Sequence, residues 1–340
     1  TGSEKFDRVI CARWNRRWRI RIALINSYFW PDTAATSQLL TDVALAAKEA
    51  GHEVVVYCST SSYGEQQGRS HPGVEIRRLP AIPFWNVRVQ QFLGYLTFAL
   101  GVVIRLSLDR GFDRLLVLTS PPILSPLVGM VAKLRGWRYI IWEMDLYPDI
   151  AVAVGALRMH SPVAIAFSQV LDWGRRHAMR VVVLGECMAN RLKHSGLEYS
   201  RINIVHNWAD GQKIKPLAFP PWNPLTILYS GNFGLAHDAE TIKGVIAHGE
   251  LRARVHFVFA GRGARVADLK KFCSQNAVTN VSFLPASSLD MLGARLSLCH
   301  VGLITQLNST LGAVVPSKVY GLMAAGRPFI FIGPAGATVA

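Results

Sequence analysis

Residues 21–58 carry a short apolar run, a loop, an amphipathic stretch and a second apolar run, and few folds accept that order. Arg21-Ile-Ala-Leu-Ile-Asn26 is too short for a helix and apolar without alternation, as expected of a strand buried on both faces of a parallel sheet. Ser27 to Ala35, with Trp30-Pro31-Asp32 at its centre, reads as a loop. A helix is predicted from about Thr36, because Leu39, Leu40, Val43, Leu45 and Ala46 give it an apolar side. Gly51-His52 ends it, and Glu53 to Cys58 is the second strand. Two parallel strands need such a crossover. The unit opens a doubly wound α/β domain, in which ligands bind beyond the carboxyl ends of the strands.

The pattern repeats down the chain. Ser59 to Pro72 is polar and reads as a surface loop, and Val74 to Leu79 as a strand ended by Pro80 and Pro83. A long helix over about 89–108 is apolar on more than one face, so it is either well covered or pressed against lipid. Arg88, Arg105 and Arg110 near its ends suit a bilayer surface. Strands follow at 115–119, leading into Ser120-Pro121-Pro122, and at 139–142. The exit of the latter, Glu143-Met144-Asp145-Leu146-Tyr147-Pro148-Asp149, places three carboxylates at a carboxyl end. Ser161-Pro162 reads as a helix cap with proline at the first helical position. A strand at 181–184, a helix at 186–193 and a strand at 202–205, leaving through His206-Asn207-Trp208, complete a domain over 21–210.

Residues 211–224 hold four prolines and read as a linker to a second domain over 225–340. That domain opens on a strand, Thr226 to Tyr229, a turn bracketed by Gly231 and Gly234, and a helix starting near His237. A strand, a glycine turn and a fresh helix N-terminus make an anion pocket, because unpaired N–H groups and a positive dipole end face the turn. A helix start with no ligand is the competing reading. The pattern then repeats: a strand at 256–260 runs into Gly261-Arg262-Gly263, and a helix extends to Cys273. A strand follows at 281–284, with Ser287 and Asp290 as a capping box. Next come a strand at 301–305, a loop over 306–315, a helix over 316–325 entered through proline, and a strand at 328–332.

The formal charge is +15, from 37 Lys and Arg against 22 Asp and Glu. Residues 1–215 hold 27 and 17 of these, so most of the excess lies in the first half. Nucleic acid, an anionic membrane face and a phosphorylated lipid are the candidate partners, with an arginine-enriching coding bias as the plain alternative. No basic platform with interleaved aromatics and no recognition-helix motif is visible, which argues against nucleic acid. Five isolated cysteines without a C-x-x-C pair suit reduced thiols in the cytoplasm and argue against zinc. Residues 1–20 read as a basic, disordered lead-in with no apolar core for a signal peptide. The most apolar stretch, 92–108, contains Arg105 and is too short for a confident span.

Several stretches, taken together and in order, resemble family 4 glycosyltransferases, in the branch that builds bacterial O-antigen, capsule and exopolysaccharide. They are Tyr28-Phe29-Trp30-Pro31, Gly51-His52-Glu53-Val54, Thr119-Ser120-Pro121-Pro122, Asp145-Leu146-Tyr147-Pro148-Asp149 and His206-Asn207. In the second half they are Tyr229-Ser230-Gly231-Asn232-Phe233-Gly234, Phe259-Ala260-Gly261-Arg262-Gly263, Pro316-Ser317-Lys318 and Ala325-Gly326-Arg327-Pro328. The resemblance implies a GT-B fold, two doubly wound Rossmann-like domains facing an interdomain cleft. It implies retaining sugar transfer from a nucleotide-diphosphate donor, a UDP-sugar first among them, with no metal and no cofactor beyond this co-substrate. The implied partners are a polyprenyl-diphosphate-linked acceptor and an anionic membrane surface. The implied place is cytoplasmic, peripheral at the inner face of the plasma membrane.

Residue roles follow from the same likeness. Asp145, Glu143 and Lys318 are expected at the reacting centre. Gly231, Asn232, His237, Gly261, Arg262, Ser317, Lys318 and Asn207 are expected around the donor, where fixed N–H groups and cations meet the charge on the leaving diphosphate. Lys318 stands at a helix N-terminus, where a lysine is unfavourable unless an anion joins it. Trp30, Thr36, Ser37 and Arg88 are expected on the acceptor side, Thr36 and Ser37 in place of the glycine pair of many relatives.

Two departures stand out: the family's Glu-x7-Glu pair is missing, with Gly321 at its second position and no acid in 306–315, and the common Arg/Lys pair of the phosphate loop is replaced by Asn232 or Phe233 and by His237. Relatives also run on past the point matching Ala340, so a weakly active or non-catalytic short form is an alternative, as is a GT-B nucleotide-sugar epimerase. A dinucleotide oxidoreductase ranks low, since Gly261-Arg262-Gly263 lacks a third glycine.

Overall fold

The computed structural model of the chain describes residues 19–60, 73–81, 88–287 and 290–340, with the side chains of 88–91 left out. The lead-in before residue 19, most of the 59–72 loop, Pro83 and the side chain of Arg88 therefore lie outside the described residues.

Two parallel sheets carry the fold. The first has seven strands in the order β3-β2-β1-β4-β5-β6-β7. These are β1 (Arg21–Ile25), β2 (Glu53–Ser59), β3 (Glu75–Leu79), β4 (Arg114–Leu118), β5 (Arg138–Trp142), β6 (Arg180–Val183) and β7 (Ile202–Ile204). The second has five, in the order β10-β9-β8-β11-β12. They are β8 (Leu225–Asn232), β9 (Val255–Arg262), β10 (Val281–Leu284), β11 (Val301–Thr305) and β12 (Phe329–Ile332). Ala23, Leu24 and Ile25 of β1 and Val55, Val56 and Tyr57 of β2 are all buried, which is why these strands read as unbroken apolar runs.

The chain divides into two compact units. One holds the chain up to Met144 with Ala166–Val183 and Leu197–Asn203; the other holds Asp145–Ile165, Leu184–Gly196 and Ile204–Ala340. The sequence reading placed one boundary near residue 210. Instead, 145–165 and 184–196 group with the later part of the chain, because hydrogen bonds fasten them there. Leu146 N–H donates to Ala313 O at 2.8 Å, Ser309 Oγ to Ala153 O at 3.3 Å, and Arg191 Nη1 to Leu311 O at 2.8 Å.

The proline-rich stretch 211–224 is a packed strap of the second unit. Ile214 is buried with Leu228 and Val258. The Arg327 guanidinium, 4% exposed, donates to the carbonyls of Leu217 and Ala218 at 3.0 and 2.9 Å. His300 accepts the Thr226 N–H at Nδ1 and holds the Pro220 carbonyl through Nε2. Other local expectations split. Ser161 caps its helix, its Oγ accepting the Ala164 N–H at 3.2 Å. The capping box at Ser287 and Asp290 does not form, because the helix starts later, at Leu292, with Met291 before it.

Candidate active site

The glycines of the second unit serve close strand approach. β8 and β9 run in register through Gly231↔Gly261 and Asn232↔Arg262, so the stretch read as a turn after Tyr229 continues the strand. A Cβ on Gly261 would stand 2.0 Å from Gly231 O, and one on Gly263 2.3 Å from Phe233 O. With φ of 144° and 136°, both positions require glycine. The following helix begins at Ala239. Asp238 caps it, accepting the Thr241 N–H at 3.0 Å and the Thr241 hydroxyl at 2.6 Å. The helix start expected near His237 thus lies at Ala239, and a carboxylate of the chain itself already takes the Thr241 amide of its first turn.

His237 has a different task. A carbonyl only accepts, so the contact of 2.7 Å between Nδ1 and Thr305 O puts the proton on Nδ1. Nε2 then presents its lone pair to Lys318 Nζ, 3.4 Å away. Burial and the lysine charge push the imidazole pKa down to about 3, so it stays neutral. Lys318 leads the short helix Lys318–Ala324, whose preceding Ser317 makes no side-chain cap. Its Nζ lies 4.9 Å from the centre of the Tyr229 ring, and its Cε is 3.1 Å from where a Cβ on Gly231 would be. Thus Gly231, His237 and Lys318 come together, with Tyr229 and Thr305 as supports that sequence reasoning missed. Lys318 makes no ion pair among the described residues, and burial alone lowers its pKa to about 8. The side chain is only partly shielded from solvent, so an incoming anion has access.

Asn232, Arg262 and Ser317 are exposed in the same unit. Asn232 O accepts the Tyr229 hydroxyl at 2.8 Å. Asn207 is 6% exposed; its main-chain N–H serves the Tyr320 hydroxyl of the Lys318 helix, and its Oδ1 has no hydrogen-bond partner. Asp145 is exposed, and its backbone bridges to Val314.

Glu143, in the first unit, does not behave as an active-site acid. It is 1% exposed, and Arg175 Nε donates to its Oε1 at 2.8 Å, while Arg175 Nη1 donates to Asp172 Oδ1 at 3.0 Å. Burial opposes the guanidinium charge, but the two carboxylates hold its pKa above the ordinary value. The reading of Glu143 as a cleft carboxylate is corrected to a buried ion-paired one. A signal was available: Leu171, Arg175 and Ala178 share one helical stripe and all are buried.

On the expected acceptor side, Trp30 O accepts from Arg78 Nη2 at 2.5 Å. Thr36 and Ser37 open the helix Ala35–Glu49, whose start has no side-chain cap. Ser37 Oγ is buried without a partner, as are Ser27 Oγ and Asn26 Oδ1 where β1 ends. Sequence reasoning passed over Asn26 and Ser27, because small polar residues after a strand are common. Among the described residues, no group of three or more His, Cys, Asp and Glu could hold a metal ion.

Residues 36–208 match the glycosyl transferase 4-like domain. The chain belongs to that family of glycosyltransferases. The probable glycosyltransferase WbjE of Pseudomonas aeruginosa is 24% identical over 242 residues, covering 68% of this chain and 60% of that protein. The putative colanic acid biosynthesis glycosyl transferase WcaI of Escherichia coli is 24% identical over 306 residues, covering 81% and 74%. Among solved structures, Anabaena HepE in complex with UDP and glucose superposes with a TM-score of 0.67 at 11% identity, covering 93% of this chain and 82% of that one. WaaG, a glycosyltransferase involved in lipopolysaccharide biosynthesis, gives 0.66 at 13% identity, covering 94% and 82%. These two show the fold, which is GT-B.

Proposed function

We propose that the chain moves a sugar from a nucleotide-diphosphate donor, a UDP-sugar, to a lipid-linked saccharide in cell-surface polysaccharide synthesis. It works with retention at the anomeric carbon and on the cytoplasmic side of the membrane. The observation that carries this reading is Lys318: an ammonium group held by a neutral imidazole and an aromatic face, with no carboxylate beside it among the described residues. Breaking the sugar–phosphate bond leaves its electron pair on a diphosphate oxygen, and Lys318 meets that charge at no further cost of organisation. The acceptor hydroxyl bonds to the anomeric carbon on the face that the diphosphate leaves, and its proton passes to a diphosphate oxygen. No metal takes part. Gly231 lets the Lys318 stem pass close over the strand end, with its Cε 3.1 Å from where a Cβ would be. Asp145, exposed next to Leu146, is the acid left to orient the acceptor.

Support for the donor comes from HepE, whose structure holds UDP and glucose. Support for the pathway class comes from WcaI, named for colanic acid biosynthesis. Thermal-shift measurements with UDP-, GDP-, dTDP- and ADP-sugars test the reading, with Lys318→Ala and Asn232→Ala as controls. UDP-sugars are expected to stabilise the wild type and not Lys318→Ala. No stabilisation by any nucleotide would remove the donor site, and stabilisation without transfer of labelled sugar to a lipid extract would remove the reaction.

A further inference from the structure

We infer that the helices following β3 and β4 form a face that lies flat on an anionic bilayer. This deepens the membrane part of the reading above by locating the contact, and it rests on how apolar exposure is distributed in the first unit. Among the described residues of that unit, every exposed large apolar side chain except Tyr199 lies on the helices after β3, β4 and β5. Right-handed crossovers from β3 to β4 and from β4 to β5 travel the same way across the sheet and stack their helices on one side. The crossover from β1 to β2 travels the other way, and its helix, Ala35–Glu49, exposes no large apolar residue.

The helix Arg88–Leu108 is apolar on two faces, for two reasons. Phe98, Ala99, Val102 and Leu106 are buried against the unit. Phe92, Leu96, Leu100, Ile104 and Leu108 recur every fourth residue on another face and are 65, 40, 50, 61 and 68% exposed. The helix Leu124–Arg135 packs beside it and adds Leu134, 85% exposed. The expectation that such a helix is either covered or pressed against lipid resolves into both, one on each face.

Charge identifies the occupant. Neither helix contains an Asp or Glu; their cations are Arg88, which opens the first, and Arg105, Lys133 and Arg135 in the last turns. Arg114 and Arg138 open the neighbouring strands β4 and β5 at the same end. An apolar stripe with an excess of cations at its rim, where Asp109 is already paired with Arg77 and Arg105, suits the boundary between acyl chains and anionic headgroups. A second copy would bring cations against cations. No described helix is long and apolar enough to cross a membrane, so the contact lies on the surface.

Flotation of the full chain with liposomes tests this. Vesicles of phosphatidylcholine alone and with one third phosphatidylglycerol are compared at rising salt, with wild type and the triple variant Leu100→Ser, Ile104→Ser, Leu134→Ser. Wild type is expected to float with anionic vesicles, and the variant to bind roughly tenfold or more weakly. Lys133→Gln with Arg135→Gln is expected to lose several-fold and to flatten the salt dependence. These side chains are exposed, so melting temperature and the UDP-sugar shift should stay unchanged. That separates failure of this face from failure of the donor site. Equal flotation of the triple variant, no flotation of wild type, or a wild-type dimer that the triple variant turns into a monomer would each overturn the inference.

Discussion

Glu143 and Lys318 are both charged residues drawn toward the interior, and their surroundings differ in one respect. Glu143 is sealed by Arg175, which Asp172 also engages, so its charge is answered within the protein. Lys318 faces a neutral imidazole and an aromatic ring, and its charge is unanswered. Taking a charge out of water is costly unless an opposite charge or a full set of hydrogen bonds replaces the solvent. In the first arrangement the charge is therefore answered without a ligand, although Glu143 Oε2 is buried with no hydrogen-bond partner among the described residues. The second gains most when an anion arrives. Strand exits and helix starts look alike for both in the sequence; the partner decides which one is structural and which one is a site.

The comparison breaks most readily at Arg175. Replacing it by Met leaves Glu143 buried and uncompensated, and should cost about 3–5 kcal/mol of stability in urea unfolding. Removing both charges, with Glu143→Leu added, should recover much of that loss. If the single variant were nearly neutral, the pair would not be the closed unit described. Next in size, Lys318→Ala should leave melting nearly unchanged and lower sugar transfer about 10²- to 10³-fold, in line with loss of one preorganised donor at a developing oxyanion. Steady-state transfer assays would read it, and a loss below threefold would take Lys318 out of the reacting centre.

A third test turns on pH. Burial lowers the Lys318 pKa from 10.5 to about 8, so between those values the unfolded chain binds more protons than the folded one. Stability contributed by this site should rise as pH climbs from 8 to 10.5, and below pH 8 the folded protein carries the whole cost of the buried charge. Lys318→Met should accordingly be more stable than wild type at pH 7, by on the order of 1–3 kcal/mol given its partial exposure, with the gap closing above pH 10. A bound diphosphate favours the protonated amine, so UDP affinity should weaken as pH rises through about 8. Calorimetry at pH 7 and 9.5 gives both signs, and a pH-independent gap would mean that the amine is not depressed.

Much of the fold was legible because apolar runs and helical stripes report burial directly. β1, β2, β5 and β11 lie within about a residue of where the runs place them. The glycine stretch 231–234 was harder. Glycine licenses both a turn and a close strand approach, and only the pairing of Gly231 with Gly261 distinguishes them. Lys318 was legible as a lysine misplaced at a helix start. Its imidazole partner was not, since Nε2 faces it only because Thr305, on another strand, takes Nδ1. Glu143 misled because an acid at a strand exit announces a cleft, while the arginine that buries it stands thirty-two residues later. Long-range partners of this kind leave no local trace beyond a charged residue on an apolar stripe.

The smallest effect separates the two members of the lysine site. His237 touches Lys318 and, in the reading proposed here, not the donor, so it is a positioning residue. His237→Ala removes the acceptor at Nζ and leaves the amine held by the Tyr229 ring alone. A hydrogen bond to a charged group contributes about 1.5–3 kcal/mol, and solvent replaces part of it at a partly exposed amine. The expected loss is about tenfold in KM for the donor at pH 7, with kcat changed less, because an anion recaptures the amine once bound. His237→Gln, which can place a carbonyl oxygen toward Nζ, should restore most of the affinity. The imidazole is already neutral, its pKa held down to about 3, so replacing it should add no new ionisation between pH 5 and 7 to the profile of kcat/KM. If instead an inflection near pH 6 vanished in both variants, His237 would be exchanging a proton with the reacting groups, and the lysine would be the supporting residue.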